Sequence, residues 1–114
     1  MLKQVAEDIK GLRIQGATNI AYAGLAAMRH VINKFSTKNR RAFFKELIRA
    51  KEILFNARPN EPMMYNAINY LISRLKSFDG DFKSEGLRLI DYIENKFNSS
   101  KKLAKFSLLV SRSS

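Results

Sequence analysis

The chain has 114 residues, a formal net charge of +11 and a pI of about 10.2. This length allows one domain with one hydrophobic core. A content of 46% apolar and 27% charged residues is typical of a globular rather than a disordered protein. Because the chain contains no cysteine, it has no disulfide framework, no thiolate metal site and no cysteine nucleophile.

The sequence also lacks the patterns of a membrane span, a signal peptide and a metal site. Lys, Arg or Asn interrupts each apolar stretch well before the roughly 18 residues that a membrane span needs. Residues 1–7 lack the apolar core of a signal peptide. Metal-binding spacing of His, Asp or Glu is also absent from the sequence. We therefore expect a cytoplasmic protein that uses no metal or other cofactor.

The apolar pattern predicts an all-α domain of about five helices. Leu2, Val5, Ile9 and Leu12 recur at steps of three and four residues, which is one face of a first helix. Thr18 is the expected N-cap of the second helix. That helix is rich in small side chains, so a neighbouring helix can approach it closely, and we expect it to be central. The small residues are Ala21, Ala23, Gly24, Ala26 and Ala27.

The third helix follows a polar connection at residues 36–39. It must end by Ala57, because Arg58 precedes a proline, which disfavours the helical conformation at the residue before it. Pro62 suits the first turn of a fourth helix, where its missing N–H costs nothing. The buried stripe of the third helix is predicted to consist of Phe43, Phe44, Leu47, Ile48 and Leu54, with Arg40, Arg41, Lys45, Arg49 and Lys51 facing water.

The fifth helix follows a turn at residues 77–81 and is expected to be unusually long. Its apolar ladder includes Ile90 and Phe97 and continues to Phe106. The predicted boundaries are residues 1–106 for the helical domain and residues 107–114 for a frayed or truncated tail.

The positive charge lies mainly in two blocks, one along the third helix and one towards the C-terminus. Such basic faces bind nucleic acid in some proteins and are simply solvated in others. No zinc, helix-turn-helix or RNA-platform signature accompanies the charge. The two blocks are Lys34, Lys38, Arg40, Arg41, Lys45, Arg49 and Lys51, and Lys96, Lys101, Lys102, Lys105 and Arg112.

Two short irregular stretches between helices, residues 13–18 and 57–62, are the least generic parts of the sequence. Each places an arginine, Arg13 or Arg58, next to a helix N-terminus and to Gly or Pro. A helix N-terminus carries unpaired N–H groups and a partial positive charge, so it attracts anions. Two such N-termini brought together could hold a phosphate.

These stretches also carry a resemblance. Residues 9–17 and 20–21, then Arg58-Pro59 and Asn66-Ala67, resemble the N-terminal region of one superfamily. It comprises the alpha, beta and delta subunits of translation initiation factor 2B and the isomerases of ribose-1,5-bisphosphate and methylthioribose-1-phosphate. The resemblance covers residues 2–106. Members usually continue into a Rossmann-like second domain, so we expect this chain to correspond to the N-terminal domain alone.

The resemblance implies a set of ligand-binding residues: Gln15, Gly16, Ala17 and Arg58, with Arg13 as a further candidate. The isomerases usually carry arginine where this chain has Gln15, and glutamine cannot supply a charged, forked donor. The alternative interpretation is that residues 15–18 form an ordinary helix–helix turn and that Arg58 caps a nearby helix end.

Three functions are considered, of which the first is the leading hypothesis. The first, implied by the resemblance, is an initiation-factor-2B-like module that binds the alpha subunit of initiation factor 2 or sister subunits. The second is the substrate-lid domain of a ribose-1,5-bisphosphate isomerase, with weak affinity for a phosphosugar or nucleotide. The third is a small basic nucleic-acid-binding protein.

Because the resemblance places the catalytic cysteine and aspartate in the second domain, we expect no catalysis by this chain alone. His30 is expected to be a surface or half-buried helix residue.

Overall fold

Five helices follow one another in the computed structural model, with bounds Leu2–Lys10 (α1), Ala17–Lys34 (α2), Arg40–Ala57 (α3), Pro62–Lys76 (α4) and Phe82–Ser113 (α5). The structure describes residues 1–36 and 39–98 with their side chains, and the helical backbone of residues 99–113. These parts contain no strand, so the predicted all-α class is confirmed. The tail expected over residues 107–114 falls outside the residues whose side chains are described.

The second helix, α2, lies at the centre of the fold and contacts all four other helices. Its side chains Ile20, Leu25, Met28 and Ile32 are fully buried. Burying one large aliphatic side chain stabilises the folded state by about 1.5–3 kcal/mol relative to leaving it exposed. This stripe therefore holds the bundle together, and the predicted central position of the small-residue helix is confirmed.

The fifth helix, α5, runs antiparallel to α2 and is joined to it by polar contacts. The Tyr22 hydroxyl donates to Oδ1 of Asn98 at 2.5 Å and lies 3.3 Å from the Glu94 carbonyl oxygen. About two turns further along α2, the Arg29 guanidinium lies 2.8 Å from the Asp91 carboxylate and 2.9 Å from the Glu94 carboxylate. Partly exposed ion pairs stabilise a fold by at most about 1 kcal/mol each. They contribute mainly to the register of the two helices.

The start of α2 differs from the prediction. Gly16, not Thr18, is the N-cap, with φ +87° and ψ 135°. Glycine adopts a positive φ at little cost, so the chain enters the helix directly after it. Thr18 lies in the first turn instead, where its hydroxyl contacts Sδ of Met63 at 3.7 Å. The predicted cap is wrong because a glycine-mediated entry needs no capping side chain.

One prediction for α3 is also wrong, and a second, the exposed Arg40, is confirmed but incomplete. Ile48 is 37% exposed, whereas Ala50 is buried, because residues three and seven positions after Leu47 share its helical face and Ile48 points about 100° away. Arg40 does not simply face water. Its guanidinium donates to the carbonyl oxygens of Phe78 at 2.8 Å and Lys76 at 2.5 Å, at the C-terminal end of α4.

Both ends of α3 and the start of α4 lie where the sequence predicts. Asn39, at the end of the polar connection, caps α3 by accepting a hydrogen bond from the Ala42 N–H at 3.2 Å. Ala57 is the last residue of α3, and Arg58 is extended with φ −150°. Pro62 is the first residue of α4. The chain before Pro62 is therefore a short loop that presents Arg58 at the entrance of α4.

Candidate phosphate-binding site at the paired helix N-termini

The first of the two loops connects α1 to α2 in a tight turn. Leu12 takes a left-handed conformation with φ +63°. The N–H groups of Arg13 and Ile14 both donate to the Asp8 carbonyl oxygen, at 2.9 and 3.2 Å. These bonds satisfy the last carbonyl groups of α1 and set the direction in which α2 starts.

The polar side chains of this loop are used locally. The Gln15 amide donates through Nε2 to the Leu12 carbonyl oxygen at 2.8 Å, so this predicted ligand residue stabilises its own turn. The Arg13 guanidinium pairs with the Asp8 carboxylate at 3.1 Å and is 71% exposed. Such an exposed pair is weak. Arg13 therefore supplies positive charge near the loop without being held in a fixed position.

The N-terminus of α2 is open to an anion. Gly16 and Ala17 are exposed and Thr18 is half-buried. Among the described residues no side chain caps this end of the helix. The first N–H groups of a helix have no intrahelical acceptor and carry a partial positive charge. The predicted ligand residues Gly16 and Ala17 are thus placed where their backbone N–H groups can bind an anion.

The second loop, residues 58–61, is held by a tyrosine that the sequence analysis did not single out. The Tyr65 hydroxyl accepts a hydrogen bond from the Asn60 N–H at 3.2 Å and lies 3.1 Å from the Phe55 carbonyl oxygen, to which it donates. The Tyr65 ring stacks on the Phe55 ring, with centroids 3.8 Å apart. The exposed side chain of Asn66, the next residue, lines a groove between α4 and α5.

Arg58, the predicted phosphate-contacting arginine, lies at the start of this loop. Its Nε is 3.1 Å from Oε1 of Glu61. Its Nη1 atom is buried and has no hydrogen-bond partner among the described residues. Glu61 is the N-cap residue of α4, but its carboxylate makes no capping hydrogen bond. The guanidinium of Arg58 therefore keeps an unused donor beside a second uncapped helix N-terminus.

The first turns of α2 and α4 are in contact through one pair of side chains. Thr18 in the first turn of α2 and Met63 in the first turn of α4 are in contact at 3.7 Å. Within residues 1–36 and 39–98 no hydrogen bond or ion pair joins the polar side chains of the two loops. We call this arrangement, comprising residues 15–18 and 58–63, the paired N-termini. It combines two helix dipoles of the same sign, which favour a bound anion, with Arg58, whose charge is partly balanced by the Glu61 carboxylate.

The single histidine, His30, is half-buried on α2, as predicted. Partial desolvation and the positive charge of Lys34 lower the pKa of His30. In the part of the chain that the structure describes, no group of three His, Asp or Glu side chains could hold a metal ion. No helix there is long and apolar enough to cross a membrane.

Comparison with known proteins identifies the family. Residues 13–107 match the model of the initiation factor 2 subunit family. The chain belongs to this family. The resemblance in the two loop motifs is thereby confirmed, and the match includes both helix N-termini of the candidate site.

Three curated relatives of this family member carry the same name, ribose 1,5-bisphosphate isomerase. The Pyrococcus furiosus protein is 35% identical over 86 residues, which are 75% of this chain and 26% of the relative. The Methanocaldococcus jannaschii protein is 30% identical over 102 residues, covering 90% of this chain and 32% of the relative. The Thermococcus kodakarensis protein is 29% identical over 110 residues, covering 90% and 34%. The chain thus spans about a quarter to a third of the length of these relatives. No solved structure matches it.

Proposed function

We propose that this chain is the helical N-terminal domain of an isomerase-type member of the family, and that its paired N-termini bind the phosphate of a sugar phosphate. The observation that carries the proposal is the contact between Thr18 and Met63, which sets two uncapped helix N-termini next to each other. The name shared by the curated relatives supplies the class of substrate.

Binding would use backbone groups more than side chains. The N–H groups of Ala17 and Thr18 at the start of α2 are donors without intrahelical acceptors. Pro62 has no N–H, so α4 contributes its dipole and the N–H of Met63. The Arg58 guanidinium adds a charge-assisted donor. A phosphate dianion offers acceptors enough for all of these groups.

We expect the affinity of this domain alone to be low. Gln15 replaces the arginine that the isomerases usually carry at this position and is bonded to Leu12, so one charged donor is missing. The phosphate would also be exposed to water on the side away from the helices. Millimolar binding corresponds to about 4 kcal/mol, which a few solvated hydrogen bonds can supply.

The domain is expected to position substrate without transforming it. No cysteine is present in the sequence, and none of the side chains at the paired N-termini is a nucleophile with an adjacent base. Consumption of ribose 1,5-bisphosphate by this chain alone, above the rate in buffer, would contradict that expectation.

Calorimetry with ribose 1,5-bisphosphate tests the proposal. The unmodified chain should bind with a dissociation constant in the millimolar range, and Arg58→Ala should weaken binding by about fivefold or more, since a charge-assisted bond contributes about 1 kcal/mol or more. Arg41→Ala is the matched control, because it removes the same charge from an exposed position on α3. Equal losses in both variants would mean that only net charge attracts the ligand and would contradict the proposal.

One observation favours a second candidate function, an initiation-factor-2B-like module that binds the alpha subunit of initiation factor 2 or sister subunits. Gln15 not only replaces an arginine but donates to the Leu12 carbonyl oxygen, as a structural turn residue would. Binding of purified initiation factor 2 alpha subunit, unaffected by millimolar ribose 1,5-bisphosphate, would favour this function over sugar-phosphate binding.

A further inference from the structure

A groove separates α4 from α5 and meets the phosphate site only at Met63. It has a volume of about 470 Å³. Ala67 and Ile93 in its floor are buried, whereas Met63 and Phe97 are half-buried. The Phe97 ring packs edge-on against Tyr22 of α2, with centroids 5.5 Å apart. The floor is therefore apolar and held in place by the central helix.

Two tyrosines form the rim of this groove. Tyr70 on α4 is 39% exposed and Tyr92 on α5 is 43% exposed. Their ring centroids are 6.4 Å apart with an interplanar angle of 23°. Tyrosine supplies a large contact area together with a polar hydroxyl group, which makes it frequent at protein interfaces. These two rings remain partly uncovered at the edge of an apolar surface.

The charge around the groove is positive. Lys96 lies with Nζ 5.4 Å from the centre of the Tyr92 ring, and the Arg74 guanidinium is 5.7 Å from the centre of the Tyr70 ring. The segment Pro62–Lys76, which is all of α4, contains no acidic residue. The nearby α5 carboxylates of Asp91 and Glu94 pair with Arg29 of α2. A ligand in the groove would therefore meet cations beside an apolar floor.

We infer that this groove binds an acidic amphipathic helix of a partner protein. An amphipathic helix in a groove uses apolar anchors at positions i, i+4 and i+7. Met63 and Tyr70 are seven residues apart on α4, which is about 10.5 Å along the helix axis. The groove is thus long enough for two turns of a partner helix. Carboxylates on the flanks of that helix would face Lys96 and Arg74.

Charge excludes two other occupants. A second copy of this chain would bring a further net charge of +11 to a cationic surface. The residues after Asn98 include Lys101, Lys102, Lys105 and Arg112 and no acidic residue. Their charge therefore does not complement the cationic rim either. RNA is less favoured because the groove floor at Met63, Ala67 and Ile93 is apolar, so only the rim cations could face a phosphate.

The inference does not depend on the phosphate site. The two surfaces share only Met63, at the end of the groove next to the paired N-termini. Failure of one can therefore be distinguished from failure of the other, because sugar-phosphate binding depends on Arg58 and peptide binding on Tyr70 and Lys96.

Fluorescence anisotropy of the full chain with a labelled model peptide tests the inference. The probe is a helical peptide of about 16 residues with leucines at i, i+3, i+4 and i+7 spacing and glutamates elsewhere. Its micromolar binding should weaken about tenfold or more in Tyr70→Ala and in Lys96→Glu. Lys45→Glu is the matched control, with the same charge change at an exposed position on α3, and should change affinity less than threefold.

A second peptide, with its charges reversed to match Lys96→Glu, distinguishes a lost contact from a misfolded variant. Lys96→Glu should bind a peptide with lysines in place of the glutamates more tightly than the unmodified chain does, which a misfolded variant would not do. A uridine oligonucleotide should not displace the acidic peptide. Absence of peptide binding, equal losses in Lys96→Glu and Lys45→Glu, or displacement by the oligonucleotide would each overturn the inference.

Discussion

A Cβ atom built on Gly24 would lie 2.9 Å from Sδ of Met64 and 3.0 Å from its Cγ. A side chain on Gly24 would therefore fit between α2 and α4 only if Met64 shifted. Met64 is fully buried, so it has little room to withdraw. Met64 belongs to the first turn of α4, so this turn packs against α2 about two helical turns after Thr18.

Gly24→Val should destabilise the fold by about 1–3 kcal/mol, the usual cost of overpacking a filled core. The measurement is the free energy of unfolding by urea. Asn33→Val, at an exposed position on the same helix, is the control and should stay within about 0.5 kcal/mol. If the clash with Met64 is the cause, Met64→Ala should cost less in the Gly24→Val background than in the unmodified chain. Additive costs would contradict the assigned contact.

Arg40 should matter for stability although it belongs to a basic block. It donates to the carbonyl oxygens of Lys76 and Phe78 and lies 5.1 Å from the centre of the Phe44 ring. Arg40→Ala should therefore reduce the free energy of unfolding by about 1 kcal/mol, since cations at a helix C-terminus and hydrogen bonds to charged groups are each stabilising. Arg41→Ala, which removes the same charge from the neighbouring residue, should leave the free energy of unfolding nearly unchanged in the same urea titration.

Much of the fold is predictable from the sequence because strong local signals agree with one another. The spacing of apolar residues locates all five helices, and Pro62 and the Arg58-Pro59 step fix the break between α3 and α4. Ile48 fails because a run of apolar residues is wider than the face that a helix buries. Thr18 fails because a glycine at the preceding turn removes the need for a capping side chain.

The site is only partly predictable, for a different reason. Sequence motifs point to residues 15–17 and Arg58 as candidates, but contacts between distant residues decide what these groups do. Tyr65 holds the second loop through a hydroxyl that bonds to backbone groups up to ten residues away, and no local pattern reports such a bond. The contact between Thr18 and Met63, 45 residues apart, likewise depends on how α2 and α4 pack.

Tyr65→Phe tests the role of that hydroxyl. Losing it leaves the Asn60 N–H without its acceptor, so the free energy of unfolding should fall by about 1 kcal/mol. The Asn60 amide should also exchange faster with solvent, which hydrogen exchange detected by NMR measures directly. Tyr92→Phe removes a hydroxyl from an exposed ring and is the control. Unchanged protection at Asn60 would mean that another group holds the loop.

Gln15→Arg should strengthen sugar-phosphate binding. It replaces a neutral side chain by a charged, forked donor in the turn before α2, which is worth roughly 1 kcal/mol, or about a tenfold change in affinity at most. Asn33→Arg, which adds the same charge in the last turn of α2, is the control. Calorimetry with ribose 1,5-bisphosphate compares the two. An equal gain in both variants would show only a general effect of charge.

The most direct test of the central claim is to locate the bound phosphate by NMR. Backbone amide signals of the unmodified chain are followed while ribose 1,5-bisphosphate is added. Binding at the paired N-termini predicts that the amide signals of Gly16, Ala17, Thr18 and Met63 shift together. All four should fit the same dissociation constant, in the millimolar range, and Arg58→Ala should reduce all four shifts. Shifts confined to the exposed basic residues of α3, with those four amides unchanged, would contradict the account.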